Sequence, residues 1–173
     1  MKFRPRPGTV GLVRSLLPKN VEIAVGLRLL GMLQFFYERT DGRIGSRLGR
    51  LKLLLLRTRG RKSGQVRTSE LLYIEDGGNL VVVGSKGGSD APPAWLLNLQ
   101  ADPNAEVQVG TRRFPVRARL AEGDEYERLW EGVNAVWPDY QRYQDRSSRR
   151  IPVVVLEPVR SGSRLARPRE GVN

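Results

Sequence analysis

The sequence predicts a mainly β domain with added helices (α+β): about six strands, mostly hairpin-linked, closing into a small antiparallel barrel. Three observations carry that prediction. Short apolar runs bounded by Gly, Pro, Asn and Asp recur from Leu53 onward, the pattern of strands rather than helices. Two of the boundaries, Asp76-Gly77-Gly78 and Gly110-Thr111, carry hairpin-turn chemistry, and hairpins join antiparallel neighbours. Strand and long helix do not alternate and no G-x-G-x-x-G occurs, which speaks against a dinucleotide-binding parallel sheet.

Residues 1–19, with Arg4, Pro5, Arg6, Pro7 and Gly8 ahead of an apolar patch, read as a basic mobile arm. Val21 to Tyr37 lacks Pro and presents a broad apolar surface that includes Val25, Leu29, Met32 and Phe36. A helix over 20–37 is therefore expected to lead into the barrel, buried against it or laid in a membrane interface. Glu22, Arg28 and Gln34 interrupt the stretch, so it does not read as a membrane span. Thr40 to Arg50 is a Gly- and Arg-rich loop. Leu53 to Leu56 opens the first strand. Thr68 to Ile74 and Leu80 to Gly84 pair across Asp76-Gly77-Gly78. Pro93 to Leu99 is a short helix entered through Pro92-Pro93, and Asp102-Pro103-Asn104 is a turn. Val107 to Val109 and Phe114 to Leu120 form a second hairpin, with Val116, Ala118 and Leu120 on a dry face against Arg117 and Arg119. Asp124 to Val136 is a helix, and Val153 to Leu156 is a last strand between Pro152 and Pro158. The barrel domain spans 20–159, and the Arg-, Ser- and Gly-rich tail over 160–173 reads as disordered.

With 173 residues the chain is long enough for one domain with a real core. It contains no His and no Cys, which excludes Cys/His zinc sites and every Ser-His-Asp or Cys-His device. No metal site is expected. The formal net charge of +12 calls for an anionic partner: a phosphorylated cofactor, an acidic membrane surface or nucleic acid. Aromatic residues make up only 7% of the chain, and no aromatic RNA-binding signature is present, so nucleic acid is the weaker reading. The N-terminus has no uninterrupted apolar core of a signal peptide. The chain reads as cytoplasmic, with peripheral attachment to the inner face of the cell membrane through the arm and helix as an option.

The chemistry concentrates in two loops, Gly60-Arg61-Lys62-Ser63-Gly64 and Ser85-Lys86-Gly87-Gly88. Small residues let backbone N–H groups approach an anion, and the cations supply charge. Either loop alone is an ordinary polar turn; the pair points to a long, multiply anionic ligand.

In order along the chain stand Thr58-Arg59-Gly60-Arg61-Lys62-Ser63-Gly64, Leu71-Leu72-Tyr73, Val81 to Gly88, Pro93-Ala94-Trp95-Leu96-Leu97-Asn98-Leu99, Asp102-Pro103, Leu129-Trp130, Pro138 to Gln144, and Arg149-Arg150-Ile151-Pro152 running on to Pro158. This ordered set resembles the deazaflavin-dependent nitroreductase family, a branch of the flavin/deazaflavin oxidoreductases. The resemblance implies an FMN-binding-like split β-barrel and coenzyme F-420, an 8-hydroxy-5-deazaflavin with a phosphate and an oligoglutamate tail. It implies hydride transfer to a quinone, an activated enone or a nitroaromatic. By position, Arg61, Lys62, Ser63 and Arg67 would hold the phosphate and the start of the tail. Lys86 with the amides around Gly87 and Gly88 would complete the cradle. Val83, Gly84 and Ser85 would run under the ring, and Pro93, Trp95 and Asn98 would line the cofactor side. Trp137, Tyr140 and Tyr143 would wall the substrate pocket. The family usually has Tyr where Trp137 stands, and Pro is frequent where Val66 stands. A homodimer is left open.

Reduction of a quinone or nitro group also needs a proton or a partner for the oxyanion. Without His, the Ser85 and Tyr140 hydroxyls are the catalytic candidates beside solvent. Tyr140 and Tyr143 share a face if helical; both could equally be packing aromatics. Trp130 reads as core, and Arg146, Arg149 and Arg150 as a solvated face. FMN is the alternative cofactor, and a non-catalytic polyanion-binding module the alternative function.

Overall fold

The computed structural model describes the backbone at 47–48 and residues 51–159. The arm expected over 1–19, the helix expected over 20–37 and the tail over 160–173 lie outside the described residues. The strands are β1 (Arg47–Leu48), β2 (Leu51–Arg59), β3 (Val66–Asp76), β4 (Asn79–Val83), β5 (Asn104–Val109), β6 (Arg112–Leu120) and β7 (Val153–Pro158). The helices are α1 (Ala94–Ala101), α2 (Gly123–Val136) and α3 (Asp139–Arg146), with a single 3-10 turn at Lys86–Gly88. Neighbours run β1-β2-β3-β4-β7-β6-β5, and β5 pairs back onto β2. All pairs are antiparallel, so β2 to β7 close a six-stranded ring with β1 as a short addition.

The ring follows from local signals. Gly77 and Gly78 both have positive φ (+56° and +89°), as the two-residue turn between Asp76 and Asn79 requires. The Asp102 carboxylate accepts the N–H of Asn104 at 3.1 Å, so the chain leaves α1 through an Asx turn and enters β5 at once. β5 then pairs with β6 from Asn104↔Arg117 to Val109↔Arg112. The closing ladder between β2 and β5 spans three pairs: Leu55↔Gln108, Leu56↔Val107 and Arg57↔Glu106. Arg57 stitches it, donating to Glu106 at 3.2 Å and to Gln108 at 2.9 Å.

Two apolar clusters hold the domain. Leu54, Leu56, Val82, Val107, Val116, Val154 and Leu156 fill the barrel, and Trp95, Leu96 and Leu99 of α1 join them. Val81, Val83, Val153 and Val155 face the other way, against Tyr126, Leu129 and Val133 of α2 and Tyr140 of α3. β4 and β7 are thus covered on both faces, which is why their sequences run unbroken in Leu and Val instead of alternating. Each fully buried Leu or Val contributes about 1.5–3 kcal/mol. Tyr126, Leu129 and Val133 lie on one stripe of α2.

One alternation breaks. Val116 is buried and Ala118 packs against the barrel core, but Leu120, expected on the same dry face, is 40% exposed. It is the last residue of β6, where the barrel wall stops covering the strand. Among the described residues no helix is long and apolar enough to cross a membrane.

Candidate functional site

The β2–β3 connection closes on itself: Gly60 N–H donates to the Gln65 carbonyl at 2.8 Å, and Gly64 N–H to the Gly60 carbonyl at 2.7 Å. A Cβ at Gly60 would stand 2.9 Å from Ser63 Oγ and 3.1 Å from the Gln65 carbonyl, so the loop requires glycine there. The fold leaves Arg61, Lys62 and Ser63 exposed to solvent. Asn98 of α1 pins the loop from below. Its Oδ1 accepts the Arg61 N–H at 3.2 Å, and its Nδ2 donates to Thr58 Oγ1 at 3.1 Å. Asn98 and Thr58 are both buried, so this pair also satisfies polar groups that water does not reach.

Between this loop and α1 lies a cleft of about 360 Å³ whose walls include Arg61, Lys62, Ser63, Arg67, Trp95 and Asn98. Among the described residues no carboxylate lines it. Three cations around an open cleft, beside the largely buried Trp95, have the charge to suit an elongated anion. Pro93 is buried at the start of α1 and its carbonyl accepts the Leu96 N–H at 3.1 Å. It sets the entry of the helix that presents Trp95 and Asn98.

The second loop leaves β4 at Val83. Gly84 is packed so closely that a Cβ would meet Leu96 Cδ2 at 3.1 Å, which sets the start of the loop against the core side of α1. Ser85 is right-handed (φ −76°, ψ −40°) and nearly buried. Lys86, Gly87 and Gly88 follow with φ +47°, +65° and +84°. A right-handed residue followed by left-handed ones turns successive N–H groups into one concavity, an anion nest. The Gly88 amide is not available to it: it donates to the Ser85 carbonyl at 3.0 Å. Of the amides expected around Gly87 and Gly88 to meet an anion, that of Gly88 is bonded within the turn instead.

Gly88 instead serves contact. A Cβ there would lie 2.8 Å from the Tyr143 carbonyl oxygen, so loop and α3 touch backbone to backbone. Tyr140 and Tyr143 do share a helix face, with ring centroids 6.1 Å apart in an edge arrangement. Burial, and secondarily the neighbouring Tyr143, push the Tyr140 phenol well above its ordinary value. Like any tyrosine it is protonated at neutral pH, and the upward shift extends that state further into the alkaline range. The crevice that Tyr140 forms with Tyr73, Val83, Val133 and Trp137 has about 10 Å³ of open space, room for about one water. The structure thus gathers the expected residues into two groups. Arg61, Lys62, Ser63, Arg67, Trp95 and Asn98 surround the open cleft. Val83, Trp137 and Tyr140 line the small crevice, and the Ser85 to Gly88 turn reaches this side through the contact of Gly88 with the Tyr143 backbone.

One residue escaped the sequence reading. Arg149, expected on a solvated face, is partly buried and donates to the carbonyls of Gly84 (2.8 Å), Ser85 (3.2 Å) and Ser89 (3.1 Å). The pairing Val83↔Val153 explains it: β7 is antiparallel to β4, so residues before Val153 run beside residues after Val83. Arg150 does lie at the surface, with its guanidinium 3.7 Å above the Tyr126 ring and paired to Glu127. Trp130 stacks on Tyr126 at 5.9 Å and is partly buried, with its indole N–H on Gln141.

Comparison with known proteins agrees in direction. A family described as F420H(2)-dependent quinone reductase matches residues 31–158. The chain is 44% identical over 140 residues to a Mycobacterium tuberculosis protein named F420H(2)-dependent quinone reductase, covering 79% of this chain and 94% of that one. Among solved structures it is similar to an F420-H2 dependent reductase, FDR-A, at 38% identity and a TM-score of 0.57, over 61% of this chain and 93% of that one. It is also similar to a domain-swapped dimer at 34% identity and a TM-score of 0.59, over 73% of this chain and 98% of that one.

Proposed function

The chain belongs to the F420H(2)-dependent quinone reductase family, and from that premise we propose that it takes hydride from reduced coenzyme F-420 and reduces a quinone, using the two residue groups described above. The observation that supports the assignment of residues is the cleft lined by Arg61, Lys62 and Arg67, with no carboxylate among the described residues that line it. Coenzyme F-420 carries a phosphate and several carboxylates, and a cation-only cleft fits that donor set. FMN, with a phosphate and no acidic tail, would use fewer of these cations.

In this reading Arg61, Lys62, Ser63 and Arg67 hold the phosphate and the first tail carboxylates, each charge-assisted bond contributing about 1.5–3 kcal/mol. Lys86 and the amides of Lys86 and Gly87 complete the anion cradle. Pro93, Trp95 and Asn98 set the cofactor side, and Val83, Gly84 and Ser85 support the ring. When bound, the reduced deazaflavin supplies the hydride. The chain's own residues orient and protonate. Trp137, Tyr140 and Tyr143 wall the quinone side, and the Tyr140 phenol, neutral as tyrosine ordinarily is at pH 7, would donate a hydrogen bond to the developing oxyanion, with the Ser85 hydroxyl as the second donor.

Three finer readings belong to the same proposal. Nitroaromatics and activated enones fit the same two-electron chemistry. The basic residues Arg4, Arg6, Arg14 and Lys19 beside the apolar stretch 21–37 would bring the site to an anionic membrane surface that carries the quinone. The likeness to a domain-swapped dimer supports a homodimer.

The test is a fluorescence titration of the purified protein with oxidised coenzyme F-420, with FMN in parallel, followed by oxidation of the reduced coenzyme with menadione. Micromolar or tighter binding of the deazaflavin, weak FMN binding and quinone-dependent turnover are expected. Tight FMN binding without deazaflavin binding would overturn the cofactor assignment.

A further inference from the structure

We propose that Arg149 is a positioning residue, a clasp that holds the Ser85 loop and helix α3 at one fixed spacing so that the cofactor side and the aromatic side of the site stay in register. The proposal rests on the functional reading above for what the spacing serves, but not for the clasp itself.

The guanidinium meets main chain. Nη2 donates to the Gly84 and Ser85 carbonyls and Nε to the Ser89 carbonyl, so one planar edge spans both ends of the loop that contains the left-handed run Lys86 to Gly88. The same short segment grips the loop a second time. The Asp90 carboxylate accepts the Ser148 N–H at 2.7 Å, the Ser148 hydroxyl at 2.9 Å and the Ser147 hydroxyl at 3.4 Å. These bonds hold the Asp90 carboxyl below the usual carboxylate range, so the grip persists through neutral pH. On its other side the segment is tied to α3. Gln144 donates to the Arg149 carbonyl at 2.9 Å and accepts the Ile151 N–H at 2.7 Å. Gly88 touches the backbone of Tyr143, closing the circuit loop–Arg149–Gln144–α3–loop.

The geometry asks for a fork. Two nitrogens of one rigid plane reach carbonyls on opposite sides of a turn; an ammonium is a point donor on a flexible stem and cannot hold both ends together. A merely structural arginine would affect melting alone. A positioning arginine affects turnover at constant substrate affinity, because misplacement of a reacting partner lowers the rate steeply.

The variants Arg149→Lys and Arg149→Ala, with the wild type, test this by three readouts. Amide hydrogen exchange of Gly88 and Ser89, whose N–H groups are bonded within the loop, measured without any ligand, is expected to quicken at least about tenfold in Arg149→Lys while the β2–β5 ladder is unchanged. With coenzyme F-420 and menadione, kcat is expected to fall about ten- to a hundredfold while KM for the quinone changes less than about threefold. Millimolar guanidinium is expected to restore part of kcat in Arg149→Ala. Unchanged exchange at Gly88 and Ser89 in a folded Arg149→Lys would overturn the clasp. Quickened exchange with wild-type kcat would leave Arg149 a structural residue and overturn its positioning role. A wild type inert toward the deazaflavin would sink the functional reading, and the exchange comparison would still decide the clasp.

Discussion

Lys86 shows what a single residue reveals. It is a lysine in the left-handed region, at φ +47°, where a side chain costs roughly 1–2 kcal/mol. Glycine follows it twice in the chain, so the turn could have been built without that cost. Lysine there is understood if its exposed ammonium serves a ligand. Lys86→Gly should leave stability nearly unchanged, because relief of the backbone cost offsets the roughly 0.5–1 kcal/mol that glycine's flexibility takes back. The same change should weaken coenzyme F-420 about tenfold or more, the loss of one charge-assisted bond. Chemical denaturation and fluorescence titration of the one variant read both effects; a variant that loses stability and keeps affinity would reverse the argument.

At the scale of elements, the informative contact is the one between the Lys86–Gly88 turn and α3. Gly87 and Gly88 both have positive φ, but a Cβ at Gly87 meets nothing within 4 Å, whereas one at Gly88 falls 2.8 Å from the Tyr143 carbonyl. Gly87→Ala should cost about 1 kcal/mol from backbone strain alone. Gly88→Ala adds overlap with a helix backbone and should cost at least about 2 kcal/mol, while moving α3 and lowering turnover. Thermal melts and steady-state kinetics of the pair separate the two. Most elements were legible from the chain, because strand runs and their turns are local: Asp76-Gly77-Gly78 and Gly110-Thr111 named their hairpins, and Pro92-Pro93 marked the start of α1. The contact of Arg149 with Gly84 was not, since it depends on β7 lying beside β4. Nor was the inward-turned Gly88 amide, a matter of three successive dihedrals that composition does not encode. Leu120 was misplaced because alternation describes a strand but not where its barrel ends.

For the molecule as a whole, the ring closes at its shortest ladder, the three pairs between β2 and β5. Arg57 spans that seam from a largely buried position, and Gln108 beside it is fully buried. Arg57→Met should keep the stem's packing and remove the stitch, at a cost of about 1–3 kcal/mol. Amide exchange at Glu106 to Gln108 should quicken before the rest of the barrel does; equal quickening everywhere would mean that the seam is not the weak line.

Closure has a consequence for how two copies can meet. A sheet with open margins recruits a neighbour by adding strands, but this ring leaves little margin to offer, since each strand from β2 to β7 already has a partner on both sides. Within the ring itself, strand-mediated association would require a trade, each copy unzipping one seam and lending a piece of its wall to the other. Were two copies to exchange strands in this way, the barrier would rise with the strength of the seam that opens, and Arg57 lies across the β2–β5 seam.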